Sequence, residues 1–369
     1  MLDDRDTAFM REALALAEQG IGLTDPNPRV GAVITTADGR VIGRGHTQEA
    51  GGPHAEVMAM RDALANGESL AGATAYVTLE PCAHHGRTPP CCDALVKAGI
   101  KRVLSAMSDP NPLVAGQGVA RMRQAGVEVI ELDGGPLQQE AAELNVGFFA
   151  RMQRGTPWVR MKAAVSLDGR TALPNGASQW ITGEAARTDG HLWRKRAGAV
   201  LTGVGTVIDD NPRMDVRLVP TARQPLRVIV DSRLRTPPTA RILDAPGQAL
   251  IYSASEDAAA RQALEARGAE VALLPNTAGK VDLGAMLADL GRRGINELHV
   301  EAGQLLNGSF VREGCVDEFL VYVAPMLLGS GLDLASFGPL AELKDAVQLE
   351  WRDVARVGPD LRLVARRKG

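Results

Sequence analysis

Three of the four cysteines in this chain lie between positions 82 and 92, and a His-x-Glu triplet stands at positions 54–56. His54 opens a predicted helix, Cys82 follows a predicted strand, and Cys91 starts another predicted helix. One imidazole and two thiolates form a suitable ligand set for zinc and leave a fourth coordination position to water. Any fold of this chain therefore has to bring the ends of three separate elements to one point.

Bound zinc lowers the pKa of its water to about 7. Glu56, two residues from His54, is placed to move protons without binding the metal. An H-x-E triplet followed by two cysteines is typical of zinc deaminases. Taken singly, such a triplet is usually part of a surface helix, and cysteines are more often buried apolar residues. Their ordered occurrence in one predicted domain favours a catalytic site over a structural zinc, which would normally have a fourth protein ligand.

A chain of 369 residues is too long for one ordinary core and predicts two domains. Hydrophobic residues make up 45% and charged residues 23%, as in globular proteins. The formal net charge of −3 argues against a nucleic-acid partner, whereas one or two arginines suffice to bind a small phosphorylated substrate. The acidic N-terminus and the lack of long apolar segments predict a cytoplasmic protein with no membrane partner.

We predict a domain boundary near residue 150, because the stretch that follows is polar and has no clear period. The two domains are then residues 1–150 and 151–369. The first begins with a helix over 6–18 and a hairpin at Asp38-Gly39, after which helices and strands alternate. Strands and helices also alternate throughout the second domain. Both orders predict a sheet that is covered by helices.

The eight-residue gap between the cysteines departs from the general deaminase pattern. This region resembles the deaminase domain of the bifunctional pyrimidine deaminase–reductase family of riboflavin synthesis. The segments that carry the resemblance are Thr78-Leu79-Glu80-Pro81-Cys82, His85-Gly86-Arg87-Thr88-Pro89-Pro90-Cys91, Asn27-Pro28-Arg29-Val30-Gly31-Ala32-Val33 and Asp109-Pro110-Asn111-Pro112. The long loop between the cysteines marks that family within the wider cytidine deaminase group.

The second half resembles the reductase domain of the same family over nearly all of residues 157–365. The matching segments are 161–170, 178–182, 203–207, 210–212, 230–232 and 300–303. The resemblance implies an N-terminal cytidine-deaminase-like three-layer α/β/α domain and a C-terminal dihydrofolate-reductase-like α/β domain. The pair Gly203 and Gly205 is not the G-x-G-x-x-G of a Rossmann domain. Gly303 stands at a predicted helix start, where free amides bind dinucleotide phosphates or where a turn simply requires glycine.

The resemblance also implies the roles of individual residues. The zinc ligands are His54, Cys82 and Cys91. Glu56 is the catalytic residue, Cys92 packs within a helix, and substrate contacts in the first domain fall on Asn27 and residues 84–88. The residues expected to contact NADPH are Ala164, Trp180, Thr206, Asp210, Ser232, Gly303, Gln304, Leu305, Leu306, Asn307, Gly308 and Ser309. Those expected to contact substrate in the second domain are Ser178, Arg194, Met214, Arg217 and Glu301.

One motif of the second domain departs from the family. Residues 214–217 read Met-Asp-Val-Arg where the family has Leu-Thr-Val-Arg. Methionine suits an apolar contact, but Asp215 adds negative charge near the expected site of the substrate phosphate. Lys162, Asp168 and Asp210 are the polar groups expected near hydride transfer, and the sequence identifies no proton donor.

These observations lead to a hypothesis of two coupled reactions. Zinc hydroxide deaminates a diaminopyrimidinone ribosylamine 5′-phosphate while Glu56 moves protons, and NADPH then reduces C1′ of the ribose to give the ribityl compound. Two alternatives remain: a nucleoside or RNA-base deaminase with a degenerate second domain, and a metal-stabilised nucleotide-binding sensor. Since members of the family associate, we expect a homo-oligomer, a dimer or a tetramer, with the apolar run 319–328 as a candidate interface.

Overall fold

The computed structural model describes residues 3–84, 89–111 and 115–368. It separates into two compact units, Met1–Gly155 and Thr156–Gly369. Both units combine helices with strands, as the sequence predicts. None of the helices in the described ranges is long and apolar enough to cross a bilayer.

The first unit holds one mixed sheet. Its strands are β1 (Gly31–Thr35), β2 (Val41–His46), β3 (Thr74–Val77), β4 (Arg102–Ser105) and β5 (Glu128–Glu131). Its helices are α1 (Asp4–Glu18), α2 (Ala55–Ala65), α3 (Cys91–Lys97), α4 (Gln117–Gln124), α5 (Pro136–Leu144) and α6 (Val146–Arg154). The strand order is β2-β1-β3-β4-β5, with β1 antiparallel to both neighbours and β3, β4 and β5 parallel.

Successive residues of these strands pack into two separate hydrophobic cores, one on each face of the sheet. Val33, Tyr76 and Leu104 pack with residues of α1 and α5. Their neighbours along the strands, such as Ala32 and Val77, pack with residues of α2, α3 and α4. Because successive strand residues point to opposite faces of a sheet, helices must cover both faces. The three-layer α/β/α arrangement implied by the resemblance is confirmed.

The stretch after residue 150 is not the irregular segment that the sequence predicts. It is the second half of α6, which ends at Gly155 in a left-handed conformation with φ 75°. Glycine favours this conformation at a helix end because it has no Cβ. The buried apolar residues of α6, Phe148 and Ala150, lie in its first half. A polar second half therefore concealed the helical period.

The second unit is built around a nine-stranded sheet. Its strands are β6 (Trp158–Ser166), β8 (Ala199–Gly203), β9 (Leu226–Val230), β10 (Ala249–Ser253), β11 (Ala269–Leu273), β12 (Glu297–Val300), β13 (Glu318–Ala324), β15 (Leu349–Val357) and β16 (Asp360–Arg367), and β7 (Arg170–Ala172) pairs with β14 (Leu332–Asp333) separately. The helices are α7 (Glu184–Arg196), α8 (Val204–Asp210), α9 (Arg241–Asp244), α10 (Ala258–Glu265), α11 (Leu283–Arg292) and α12 (Gln304–Arg312), with a 3₁₀ turn at Leu343–Asp345.

The order of the large sheet is β11-β10-β9-β8-β12-β6-β13-β16-β15. The strands from β11 to β13 run parallel, and β16 and β15 are antiparallel additions. The carboxyl ends of the parallel strands therefore meet at one edge, which is where open α/β sheets bind ligands.

The apolar run 319–328 lies only partly in the core. Its residues 319–324 belong to β13, which lies between β6 and β16 and buries Phe319 and Tyr322, whereas Met326 and Leu327 are exposed. The sequence does not predict β15, an edge strand that exposes most of its side chains on both faces. Such a strand lacks the alternation that makes strands recognisable.

An ion cluster crosses the middle of this sheet. Arg160 on β6 is buried and donates to Glu297 on β12 at 2.9 Å and to Glu318 on β13. Arg196 contacts Glu297 at 2.8 Å, and Arg366 on β16 contacts Glu318 at 2.8 Å. Burial would raise the pKa of Glu318, but the charges of Arg160 and Arg366 outweigh it and hold that pKa below its ordinary value. Three guanidiniums therefore share two buried carboxylates.

We predict that Glu318→Gln destabilises the second unit by about 3 kcal/mol, because it removes the buried carboxylate that both Arg160 and Arg366 contact. Arg160→Met costs less, since Glu297 keeps its contact with Arg196 and Glu318 keeps its contact with Arg366. Urea unfolding followed by tryptophan fluorescence tests this order. The signal is specific to this unit, which holds all four tryptophans: Trp158, Trp180, Trp193 and Trp351.

Arg261→Met is the matched control for this experiment. It breaks an exposed pair with Glu265 one helical turn away, and such pairs contribute about 0.5 kcal/mol. If Arg160→Met lowered the free energy of unfolding more than the other two variants, the stability of the cluster would depend on its central arginine and not on its carboxylates.

Candidate active sites

Three element ends converge in the first unit. His54 is the N-cap of α2 and has an extended backbone. Cys82 follows β3, and Cys91 is the first residue of α3. The Nδ1 atom of His54 lies 3.6 Å from Sγ of Cys82 and 3.4 Å from Sγ of Cys91. The potential ligand atoms of the three residues all lie within 4.8 Å of one another.

These distances fit a tetrahedral zinc ion. Bonds of about 2.3 Å to sulfur and about 2.0 Å to nitrogen would separate the ligand atoms by about 3.5 Å. The backbone N–H of Cys91 also donates to Sγ of Cys82 at 3.3 Å. Hydrogen bonds from Cys91 and from His54 outweigh burial and lower the pKa of Cys82, which favours the thiolate that binds a metal.

Cys92 occupies a different environment. It is buried in the core between the sheet and α2, α3 and α4, and its Sγ contacts Oδ1 of Asp93 at 3.5 Å. Burial raises the pKa of its thiol to about 11. The residue thus packs as a small apolar side chain, as the resemblance implies.

Glu56 lies in the first turn of α2 beside the three ligands, and only 4% of its surface is exposed. Burial, with the neighbouring charge of Cys82, raises its pKa to about 7. A cation on the three ligands would oppose this shift. A carboxyl group in this position, beside the metal ligands and off the metal, is placed to take a proton from a bound water and to return it.

The ligands open into a cavity of about 360 Å³. Among the residues that line it are Asn27, His54, Glu56, Cys82, His84, Asp109 and Arg151. Burial raises the pKa of Asp109 to about 6. The structure thus brings Asn27 and His84 to the zinc ligands, while residues 85–88 of the predicted contact loop lie outside the described ranges.

Two residues of this site were missed from the sequence. Glu80 is buried, and its carboxylate accepts from the backbone N–H groups of Asp109, Gly116, Gly118 and Val119 at 3.0–3.3 Å. It therefore holds the segment that carries Asp109 and the start of α4. Arg151 was placed beyond the predicted domain boundary, but its Nη2 donates to the carbonyl oxygen of Pro26 at 2.9 Å and its side chain lines the cavity.

The second unit has a cavity of about 520 Å³ at the carboxyl ends of its parallel strands. Its lining includes most of the predicted contacts: Ala164, Ser178, Trp180, Arg194, Thr206, Asp210, Met214, Arg217 and Glu301. It carries six basic side chains against two acidic ones. The basic residues are Lys162, Arg187, Arg194, Arg213, Arg217 and Arg241, and the acidic residues are Asp210 and Glu301. This balance suits anionic ligands.

Arg194 and Glu301, both expected to contact substrate, also bind each other. Nε and Nη2 of Arg194 donate to the two carboxylate oxygens at 2.5 and 2.9 Å. Nζ of Lys162 lies 3.7 Å from the same carboxylate. Burial would raise the pKa of Glu301, but Arg194 and Lys162 outweigh it and hold that pKa well below its usual range. Glu301 is thus a fixed negative charge in the cavity.

Other predicted contacts lie outside the lining of this cavity. Oγ of Ser232 accepts from the backbone N–H of Val281 at 3.1 Å. In α12, Nδ2 of Asn307 donates to two backbone carbonyls, and a Cβ on Gly308 would lie 1.8 Å from the carbonyl oxygen of Ser336. These two residues pack the helix in place. Gly303 opens α12 beside Thr206, so the start of the helix adjoins the cavity.

Asp168 does not line the cavity as expected. Its carboxylate accepts from Oγ of Ser166 at 2.5 Å and from the backbone N–H groups of Leu328 and Gly329 at 3.1 and 2.7 Å. These hydrogen bonds lower its pKa to about 2. The residue anchors a loop, whereas Lys162 and Asp210 do line the cavity.

Comparisons with known proteins cover both units. A family model described as the cytidine and deoxycytidylate deaminase zinc-binding region matches residues 3–107, and one described as the RibD C-terminal domain matches residues 157–363. The riboflavin biosynthesis protein RibD of Escherichia coli (strain K12) is 45% identical over 370 residues, which cover 97% of this chain and 98% of that protein. Its counterpart in Aquifex aeolicus is 41% identical and covers 98% of each.

Solved structures are also similar to this chain over nearly its whole length. Acinetobacter baumannii RibD has a TM-score of 0.89 at 43% identity over 99% of both chains. A diaminohydroxyphosphoribosylaminopyrimidine deaminase/5-amino-6-(5-phosphoribosylamino)uracil reductase from Thermotoga maritima has a TM-score of 0.88 at 36% identity, also over 99% of both chains.

The geometry predicts which cysteines hold zinc. Cys91→Ser should lose the metal on dialysis because it removes one of three protein ligands and substitutes a harder oxygen donor. Cys92→Ala should keep its full zinc content, because that sulfur lies in the apolar core. Metal analysis of the dialysed variants decides this. Loss of zinc from Cys92→Ala with retention by Cys91→Ser would reassign the ligand.

Proposed function

The chain belongs to the RibD family of riboflavin biosynthesis proteins, and we propose that each unit carries one of its two reactions. It is a bifunctional enzyme with deaminase and reductase activities, and its cofactors are Zn²⁺ and NADPH. The observation that carries the assignment of the first reaction is the His54, Cys82 and Cys91 cluster with Glu56 beside it in one cavity. The NADPH reaction falls to residues 156–369, which contain the match to the RibD C-terminal domain.

The substrate of the first reaction is 2,5-diamino-6-ribosylamino-4(3H)-pyrimidinone 5′-phosphate. Zinc, when bound by the three ligands, supplies a water molecule that is activated at neutral pH. Glu56 takes a proton from this water and returns protons to the ring and to the departing ammonia. Asn27, His84 and Asp109 are polar groups of the same cavity and are placed to bind the pyrimidine. Hydrolysis then gives the aminouracil.

The second reaction reduces the ribosyl group of that product to ribityl. NADPH, when bound, supplies the hydride. Ala164, Trp180, Thr206 and Asp210 are the proposed cofactor contacts, and the start of α12 next to Thr206 offers free backbone N–H groups to its phosphates. The proposed substrate contacts are Ser178, Arg194, Met214, Arg217 and Glu301.

Within the site, Lys162 is the group best placed to move a proton. Its ammonium lies beside the fixed carboxylate of Glu301, which keeps it oriented.

The similarity of the relatives over both units does not favour a deaminase with a degenerate second domain. We further propose that the chain acts as a homo-oligomer, a dimer or a tetramer, which light scattering tests.

A coupled assay on the zinc-loaded protein tests the assignment. With the diaminopyrimidinone substrate, ammonia should appear first and NADPH absorbance should then fall. Glu56→Gln should keep its zinc and lose deamination by at least about 100-fold, because it cannot exchange protons.

The second reaction provides the internal control. When the aminouracil is supplied directly, Glu56→Gln should oxidise NADPH at the normal rate. Normal deamination by this zinc-loaded variant would remove Glu56 from the mechanism. Ammonia release without NADPH oxidation by the unaltered protein would leave the second unit unexplained.

A further inference from the structure

Asp215, one of the two residues that depart from the family motif, lies behind the wall of the second cavity with 1% of its surface exposed. Its Oδ2 accepts from Nε of Arg213 at 2.9 Å and lies 2.8 Å from Nη2 of the same guanidinium. Its Oδ1 accepts from Nη1 of Arg217 at 2.8 Å. Both arginines line the cavity, and their side chains are 41% and 46% exposed. One buried carboxylate therefore joins two guanidiniums at the cavity surface.

The sequence predicts that Asp215 adds negative charge near the substrate phosphate. In the structure, the two arginines oppose this charge. Burial would raise the pKa of Asp215, but Arg217 and Arg213 outweigh it and lower that pKa. The three side chains together keep a positive charge, which is spread over two exposed guanidiniums. Nη1 of Arg213 and Nε and Nη2 of Arg217 are not used by Asp215, so each arginine keeps N–H groups for a ligand.

The backbone under these side chains is held from several directions. Val216 exchanges two hydrogen bonds of 2.8 Å with the side-chain amide of Gln224. The backbone N–H of Arg217 donates to Nδ1 of His191 at 3.1 Å, and Arg194 donates to the carbonyl oxygen of Asp215 at 3.0 Å. A ligand therefore meets two guanidiniums whose positions are set before it binds.

Preorganised guanidiniums are the usual partners of a phosphomonoester, which has three acceptor oxygens and up to two negative charges. A threonine at position 215, as in the family motif, has one neutral hydroxyl and offers no carboxylate to pair with two guanidiniums. Arg213 and Asp215 thus work as a pair. The cavity offers the other phosphates a separate place, at the start of α12.

We propose that Asp215 is a positioning residue that holds Arg213 and Arg217 as a two-arginine site for the 5′-phosphate of the substrate. Arg213 is then a second phosphate-binding residue beside the expected Arg217. This inference rests on the proposed reductase function, because that function supplies the phosphorylated substrate.

The experiment compares Asp215→Asn and Arg213→Gln with the unaltered full-length protein. Reduction is measured with the aminouracil substrate and with its dephosphorylated form, and the KM for NADPH is measured separately. Arg261→Gln is the matched control, since it removes an arginine of similar exposure from an ion pair outside the cavity. Arg213 is exposed enough for its variant to fold even if Asp215→Asn does not.

Both variants should raise the KM for the phosphorylated substrate about tenfold with little change in kcat, because they weaken binding of one group. The rate with the dephosphorylated substrate and the KM for NADPH should stay as in the unaltered protein. Deamination by the first unit should also be unaffected. Equal losses with both substrates would mean a merely structural role and would overturn the proposal. A rise in the KM for NADPH would assign the arginines to the cofactor and would also overturn it.

Calorimetry with ribose 5-phosphate separates this inference from the function on which it rests. The unaltered protein and Arg261→Gln should bind this probe, ribose should not bind, and Asp215→Asn and Arg213→Gln should bind it at least about tenfold more weakly. If the protein bound ribose 5-phosphate in this way but reduced neither substrate, the reductase assignment would fail and the phosphate site would stand. Equal binding by all variants would refute the site.

Discussion

The contact of Arg160 with Glu297 and Glu318 fixes the centre of the second unit. It joins β12, β6 and β13, three neighbouring strands, and Arg366 extends the connection to β16. A buried charge without its partner is strongly destabilising, so the strands can shift past one another only if this cluster is broken. Lys162 and Ala164 lie further along β6, and Glu301 directly follows β12. The positions of these cavity residues therefore depend on an interaction in the interior of the sheet.

The need of a buried charge for partners also determines how residues are placed in both sites. Glu80 is buried and finds its partners in four backbone N–H groups, which places the segment with Asp109 against the zinc ligands. Asp215 is buried and finds its partners in two arginines, which places their guanidiniums at the second cavity. In each case a carboxylate that does no chemistry is surrounded by donors, and pairing that charge puts the binding groups in position.

How much the sequence could predict depended on how local each feature is. The zinc ligands and Glu56 follow from short motifs at element ends, and the alternation of strands and helices gave both sheets. Glu80 could not be identified because its hydrogen-bond donors lie some 30 to 40 positions further along the chain. Asp215 was judged by its charge alone, whereas its effect depends on burial and on the side chains around it. For β15 and the second half of α6, exposed or polar residues concealed the period.

The nearness of the sulfurs of Cys82 and Cys91 has a consequence for the handling of the protein. Both cysteines are free thiols in the structure, and they lie close enough together for an oxidant to compete with zinc for them. A disulfide between them, with its bond of about 2.05 Å, would remove two of the three ligands in one event. Reducing conditions and the metal thus protect the same pair of atoms. Oxidative damage should therefore silence the first reaction before the second, because the reductase cavity contains no cysteine among its lining residues.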